Sequence, residues 1–109
     1  MATTYKVLGQ TNPSATTATT AYTVPSATQT VVSTIAVANI GSAPATYRIA
    51  VRPSGESLAN KHYLVYDSSV APQSTDTLTL GLTLNATDVV TVYASTATMA
   101  FNLFGSEIA

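Results

Sequence analysis

The sequence contains no cysteine, no tryptophan and a single histidine in 109 residues. Without cysteine there is no disulfide staple, no thiolate nucleophile and no thiolate-based zinc or iron–sulfur site, and one histidine leaves little from which to build another metal centre. Charge is equally scarce. Asp, Glu, Lys and Arg make up 8% of the chain, against roughly 25% in an average soluble protein, which excludes a charge-rich disordered tail. Four basic residues against five acidic ones release too few counterions to hold a phosphate backbone, so nucleic acid is not an expected partner. The longest apolar run, Val31 to Ile40, is interrupted by Ser33, Thr34 and Asn39. It falls well short of the ~20 residues that a membrane-crossing helix needs, so no membrane partner is expected. The first ten residues carry one lysine and no apolar stretch of secretory length, so no cleaved leader is expected there.

What the chain has instead is Thr, Ala, Ser and Val. Thr and Val are stiff at χ1 and favour the pleated sheet over the helix. Period-two alternation supports strands over Ala45 to Arg52, with Tyr47, Ile49 and Val51 on one face and Thr46, Arg48 and Arg52 on the other. Asp76 to Leu84 alternates in the same way, sending Leu78, Leu80, Leu82 and Leu84 to one side, with Gly81 marking a bulge or bend. Val89 to Ser95 is apolar on both faces, as a central strand would be. Further strands are expected over Thr30 to Ala38, His62 to Asp67 and from Met99 to Phe104. The turn residues Asn39 to Pro44 and Asn85 to Asp88 read as reversals of an antiparallel sheet, and hairpins are expected there.

The length suits one domain, because a second core would leave each half too small. The expected fold is all-β: a single two-sheet antiparallel β-sandwich of seven to eight strands, with Ig-like or jelly-roll connectivity left open, and an extended N-terminal arm. Residues 1–20, which include the polar low-complexity stretch from Thr11, form an N-terminal strand or arm packed on the domain or on a neighbour. Residues 21–109 form the sandwich. Such a core requires no cofactor.

Candidate chemistry is thin. His62, with Asp67 five residues on, offers an imidazole and a carboxylate, but there is no second histidine and no nucleophile elbow, so a hydrogen-bonded surface or interface role is expected and catalysis is not. Asp67, Asp76 and Asp88 stand singly, without calcium-loop spacing. Asn85-Ala86-Thr87 matches a glycosylation acceptor whose context the sequence does not announce. The tyrosines at 5, 22, 47, 63, 66 and 93 would make a weak carbohydrate platform without tryptophan, and core or interface places are expected for them. Arg48 and Arg52 share one strand face and gather half of the basic side chains there, either keeping a sheet face wet or forking onto a partner's carboxylates. With so few charges the outer surface has little electrostatic protection against association, and assembly is expected. No catalytic, cofactor-binding or metal-binding residue is expected. Tyr5, Lys6, Arg48, Arg52, Lys61 and His62 are the candidate partner contacts.

The strings Tyr22-Thr23-Val24-Pro25-Ser26, Thr30-Val31-Val32-Ser33-Thr34-Ile35, Asn39-Ile40-Gly41 and Tyr47 to Pro53 resemble a family of small virion structural proteins of tailed bacteriophages, of cyanophage and marine-phage type. Asn60 to Asp67 and Phe101 to Glu107 extend the similarity over nearly the whole chain. The resemblance implies a capsid decoration, or cement, protein on the capsid exterior, a homotrimer bound to the major capsid protein, with the N-terminal segment reaching over a neighbouring subunit. It also admits a tail, baseplate or fibre-associated module bound to tail or baseplate proteins. A third possibility is a carbohydrate-binding host-recognition domain.

Overall fold

A computed structural model describes residues 2–109. Eight strands run in chain order: β1 (Thr3–Thr11), β2 (Thr19–Thr23), β3 (Gln29–Asn39), β4 (Ala45–Arg52), β5 (Tyr63–Val70), β6 (Ser74–Leu84), β7 (Val89–Ala94) and β8 (Met99–Ile108). Two short 3-10 turns, Pro53–Gly55 and Asn60–His62, interrupt the stretch between β4 and β5. The first sheet has the order β1-β8-β3-β6 and the second β2-β7-β4-β5, with every neighbouring pair antiparallel. This nesting of two Greek keys is the jelly roll, so the connectivity left open by the sequence is resolved in that direction.

Only β4 and β5 are consecutive strands within one sheet; every other connection crosses to the opposite sheet. The turns after Asn39 and Leu84 therefore reverse the chain without making the expected hairpins. Strand β3 pairs with β6 and β8, and β7 with β2 and β4. Turn residues dictate a change of direction, but the choice of partner belongs to the side chains that must be buried together.

The central strands supply most of the core. Val32, Ile35 and Val37 of β3, Phe101 and Leu103 of β8, Tyr47 and Ile49 of β4, and Val90 and Val92 of β7 are all essentially sealed from solvent. Tyr47 meets Phe101 edge to face across the sandwich at 6.1 Å, a geometry that adds to the stabilisation from buried area. The Tyr47 hydroxyl donates to Asp76 Oδ2 at 3.1 Å, which satisfies its one polar group. Strand β7 is a central strand with a neighbour on each side, as apolar residues on both of its faces predict.

Bulges set the details. The β3–β6 register passes from Val32↔Leu82 to Thr34↔Thr79, so Leu80 and Gly81 oppose Ser33 alone. Gly81 adopts φ +63° at this point. The bulge expected at Gly81 exists, and it corrects the leucine row: Leu78, Leu82 and Leu84 keep to the core side, while Leu80 is turned out to solvent.

Residues 3–11 form the edge strand β1, paired along its length with β8. The following loop is tied down by Asn12 Nδ2, which donates to the Ala97 and Met99 carbonyls at 3.0 and 2.7 Å, and by Thr16 N donating to Ala94 O at 2.8 Å. Strand β2 runs across residue 20, so the chain has no break between arm and sandwich at that position. Met1, the first residue of the expected arm, lies outside the described residues.

Candidate interaction surfaces

Alternation along each strand sends one set of side chains inward and leaves two outer faces. On the first sheet the outward residues are mostly small or apolar, with one amide pair, Gln10 Nε2 donating to Asn102 Oδ1 at 2.7 Å. Strand β6 presents Thr75, Thr77, Thr79 and Thr83, β3 presents Thr34, Ala36 and Ala38, and the register sets Thr77 beside Ala36 and Ala38 beside Ala100. Toward β1 the face becomes apolar: Tyr5 is 84% exposed, and Val7 and Phe104 stand beside it with large exposed areas. A groove of about 370 Å³ lies between Tyr5, Phe104, Val31 and Ser33, floored by Gly105. A Cβ at Gly105 would stand 1.9 Å from the Val31 carbonyl oxygen, so glycine is what lets β8 follow the Ser33 bulge of β3.

The nine charged residues of the chain lie elsewhere or are neutralised at the rim. Lys6 borders the groove, but its Nζ pairs with Glu107 Oε1 at 3.1 Å. The other Glu107 oxygen accepts from the Tyr22 hydroxyl, which is also bonded to Thr30 Oγ1 at 2.8 Å, so this cluster ties the second sheet to the first at one end of the sandwich. Asp76 serves Tyr47, and Asp88 accepts from the Ser54 and Asn85 amides to fix the turn before β7. Arg48, Arg52 and Asp67 belong to the second sheet, and Glu56 and Lys61 to the loop beside it.

The outer face of the second sheet is built differently. Arg48 forks onto Asp67, Nε to Oδ1 at 2.7 Å and Nη2 to Oδ2 at 3.3 Å. Its guanidinium lies between the rings of Tyr66 and Tyr93, 4.2 and 4.1 Å from their centroids. The Asp67 bond holds the guanidinium pKa above its usual range. Arg52 shares this face, as the spacing of four predicts, but donates to Thr91 Oγ1 at 3.0 Å and to the Gly55 and Glu56 carbonyls at 3.3 and 2.8 Å. Both arginines are thus committed within the chain: one braces the aromatic face, and the other anchors the loop after β4.

His62 is 6% exposed. Its Nδ1 accepts from the Ala59 amide at 3.0 Å, which leaves Nε2–H to donate to Glu56 Oε1 at 3.2 Å. The carboxylate partner of His62 is therefore Glu56, while Asp67 belongs to Arg48. Lys61 Nζ reaches the same Glu56 oxygen at 3.6 Å, and the Glu56 carboxyl is held below the usual range by the His62 hydrogen bond first and the Lys61 charge second. The six candidate contacts accordingly separate into three places: Tyr5 and Lys6 at the edge of the first sheet, Arg48 and Arg52 on the second, and Lys61 and His62 in the loop turn.

Sequence reading missed the part played by Tyr63, Tyr66 and Tyr93. Residues three apart in a strand face opposite ways, but the β4–β5 register skips Leu64, so that Tyr63 pairs with Ala50 and Tyr66 with Arg48 on one outer face. The tyrosine spacing alone carried no signal for this. Among the described residues no group of three His, Cys, Asp or Glu side chains is placed to hold a metal ion, and no helix is long and apolar enough to cross a membrane. The chain matches no family model and no curated protein, so its surfaces are read from their own chemistry.

Proposed function

We propose that the chain is a virion structural protein that works by docking in many copies onto a larger protein shell, as a capsid decoration protein on the capsid exterior. The observation that carries this reading is the first sheet's outer face, a surface of Thr, Ala, exposed apolar side chains and one neutral amide pair, Gln10–Asn102, whose only charges among the described residues are the Lys6–Glu107 pair at its rim. Such a face loses no ionic hydration when another protein covers it. The sequence resemblance to small phage particle proteins points the same way. The jelly roll is also used by viral capsid domains, though the fold by itself assigns no role.

Size sharpens the reading. Four strands about 4.8 Å apart and ten residues long at about 3.3 Å each give a face of roughly 600 Å², short of the roughly 800 Å² per partner of a standard stable interface. One copy on one site is therefore held weakly, and firm attachment comes from repetition around a symmetric site, which makes self-association into a trimer and a multivalent shell the fitting arrangement. The major capsid protein is the partner this reading names, and no reaction is assigned to the chain. Quantitative staining of purified particles is the test: a decoration protein is present in numbers comparable to the shell subunits, whereas the few copies of a tail or baseplate part would move the docking site to the tail. Absence from particles altogether defeats the proposal.

A further inference from the structure

The second sheet carries a cleft that the docking role does not use. It has a volume of about 310 Å³ and is lined by Asn60, Tyr63 and Tyr66. The two rings stand nearly perpendicular, 87° apart with centroids at 4.9 Å, and Tyr66 is 58% exposed.

Three separate devices hold this arrangement. The skipped residue Leu64 brings Tyr63 onto the face of Tyr66. A second bulge at Asp67, whose φ of +55° is left-handed, aims the carboxylate at Arg48, and Arg48 in turn braces Tyr66 at 4.2 Å. The turn that carries Asn60 is pinned by the buried His62 through the Ala59 amide and Glu56. Bulges that re-aim side chains and strained residues held in place by partners recur at binding sites, because they fix a surface before the ligand arrives.

The hydroxyls of Tyr22 and Tyr47 are used up inside the sandwich. Among the described residues no such bond engages the hydroxyls of Tyr63 and Tyr66 or the Asn60 amide. The lining therefore joins aromatic surface to uncommitted neutral donors and acceptors, with no ionised group in it. Arg48 is neutralised by Asp67. We propose that this cleft binds a neutral saccharide, one or two rings in size, with a C–H face of the sugar against tyrosine and its hydroxyls on Asn60 and the phenols. The occupant is amphipathic in the same pattern as the lining, it needs no counter-charge, and the volume lies at the small end of ligand sites. An extended proline-rich peptide would want an open run of aromatic ridges, whereas this cleft is lined by a single perpendicular pair.

The test is a nuclear magnetic resonance titration of the full chain with glucose, galactose, mannose and N-acetylglucosamine in turn, and with a proline-rich peptide. At least one sugar is expected to give saturable shifts at Asn60, Tyr63 and Tyr66, with a Kd of about 1 mM, as befits a small open site. Tyr66→Ala should weaken binding about tenfold. Tyr66→Phe, which keeps the ring on Arg48 and so preserves the fold, should retain part of the affinity, and Asn60→Ala should also lose some. Phe104→Lys on the opposite face should leave sugar binding unchanged, which separates this site from the docking role. Shifts with the peptide alone, no saturable shift at these residues with any sugar, or undiminished binding by a folded Tyr66→Ala variant would each overturn the assignment.

Discussion

The two outer faces of the sandwich are cut from the same sparse supply of charge and use it in opposite ways. On the first sheet the only ion pair among the described residues is pushed to the rim, and threonine hydroxyls, alanine methyls, apolar side chains and the Gln10–Asn102 amide pair cover the rest. On the second, Arg48, Asp67, Tyr66 and Tyr93 form a closed set in which the cation is stacked and forked at once. The difference teaches what a charged group costs an interface. A guanidinium that already has its carboxylate offers a newcomer little, whereas a face without ions presents no charge to desolvate, only neutral hydroxyls and amides. The two faces therefore differ in kind: a broad one without ions, to which the proposed docking is assigned, and a small braced aromatic one, to which the proposed ligand is assigned.

The largest effect expected is on the shape of the first face. In Gly105→Ala the new methyl would occupy the position of the Val31 carbonyl, and because the obstacle is backbone on a central strand, β3 and β8 must part locally. The cost should be on the order of 3 kcal/mol, or roughly 15 °C in Tm for a domain of this size. Thermal unfolding followed by circular dichroism measures it. A variant that melts with the parent would mean that the Ser33 bulge is not held by this close approach, and that the groove beside Tyr5 is adaptable.

A smaller effect on stability, but a sharp one on assembly, separates the faces directly. Phe104→Lys places an unpaired cation at the centre of the apolar end of the first face, and Thr23→Lys places one at an exposed position of β2 on the second sheet. Thr23→Lys should leave stability within about 0.5 kcal/mol, while Phe104→Lys, which gives up the covered part of a ring 38% exposed, should cost about 1 kcal/mol. Only Phe104→Lys should weaken self-association and particle binding, by tenfold or more, as burying a lone charge demands. Sedimentation velocity across a concentration series reads the first, and co-sedimentation with particles the second. Equal loss in both variants would erase the distinction between the faces.

Much of this was legible in the residues, and the exceptions have a common cause. Strand β7 announced itself through Val89, Val90 and Val92, and the shared face of Arg48 and Arg52 followed from their spacing, because both depend only on local periodicity. Leu80 broke the leucine row and Tyr63 joined Tyr66 because bulges upset a strict alternation: in β6 the bulge turns Leu80 out while Leu78 and Leu82 keep their side, and in β5 the skipped Leu64 reverses the directions that follow. Gly81 was a visible cue for the first of these; nothing around Leu64 signalled the second. The partner of Arg48 was also hidden. Asp67 lies 19 positions away, and it is the pairing of β4 with β5, a tertiary outcome, that brings the two together. The same holds for His62, whose carboxylate is upstream at Glu56 and reached through a turn instead of along a strand.

The smallest expected effect concerns the cluster that joins the two sheets, and its sign follows from the hydrogen bonds. The Glu107 carboxyl is held below its ordinary 4.5, chiefly by the Tyr22 hydroxyl that donates to it, with Lys6 adding to the effect. A depressed acid stabilises the fold fully above the unfolded value and loses that contribution as pH falls through the folded one. Tyr22 is pushed up from 10.0 to about 12, by burial first and by Glu107 second. Its contribution is complete below 10.0 and disappears as pH rises toward about 12. The Tm of the protein should therefore decline on both sides of a plateau. Glu107→Gln removes the titrating carboxylate while leaving an oxygen for the Tyr22 hydroxyl, so the acid decline should become shallower and the phenol, followed by its ultraviolet absorbance, should titrate at lower pH. The effect is modest because Lys6 is 43% exposed and water screens the pair. An unchanged acid limb in Glu107→Gln would show that the Glu107 carboxylate contributes nothing to holding the two sheets together.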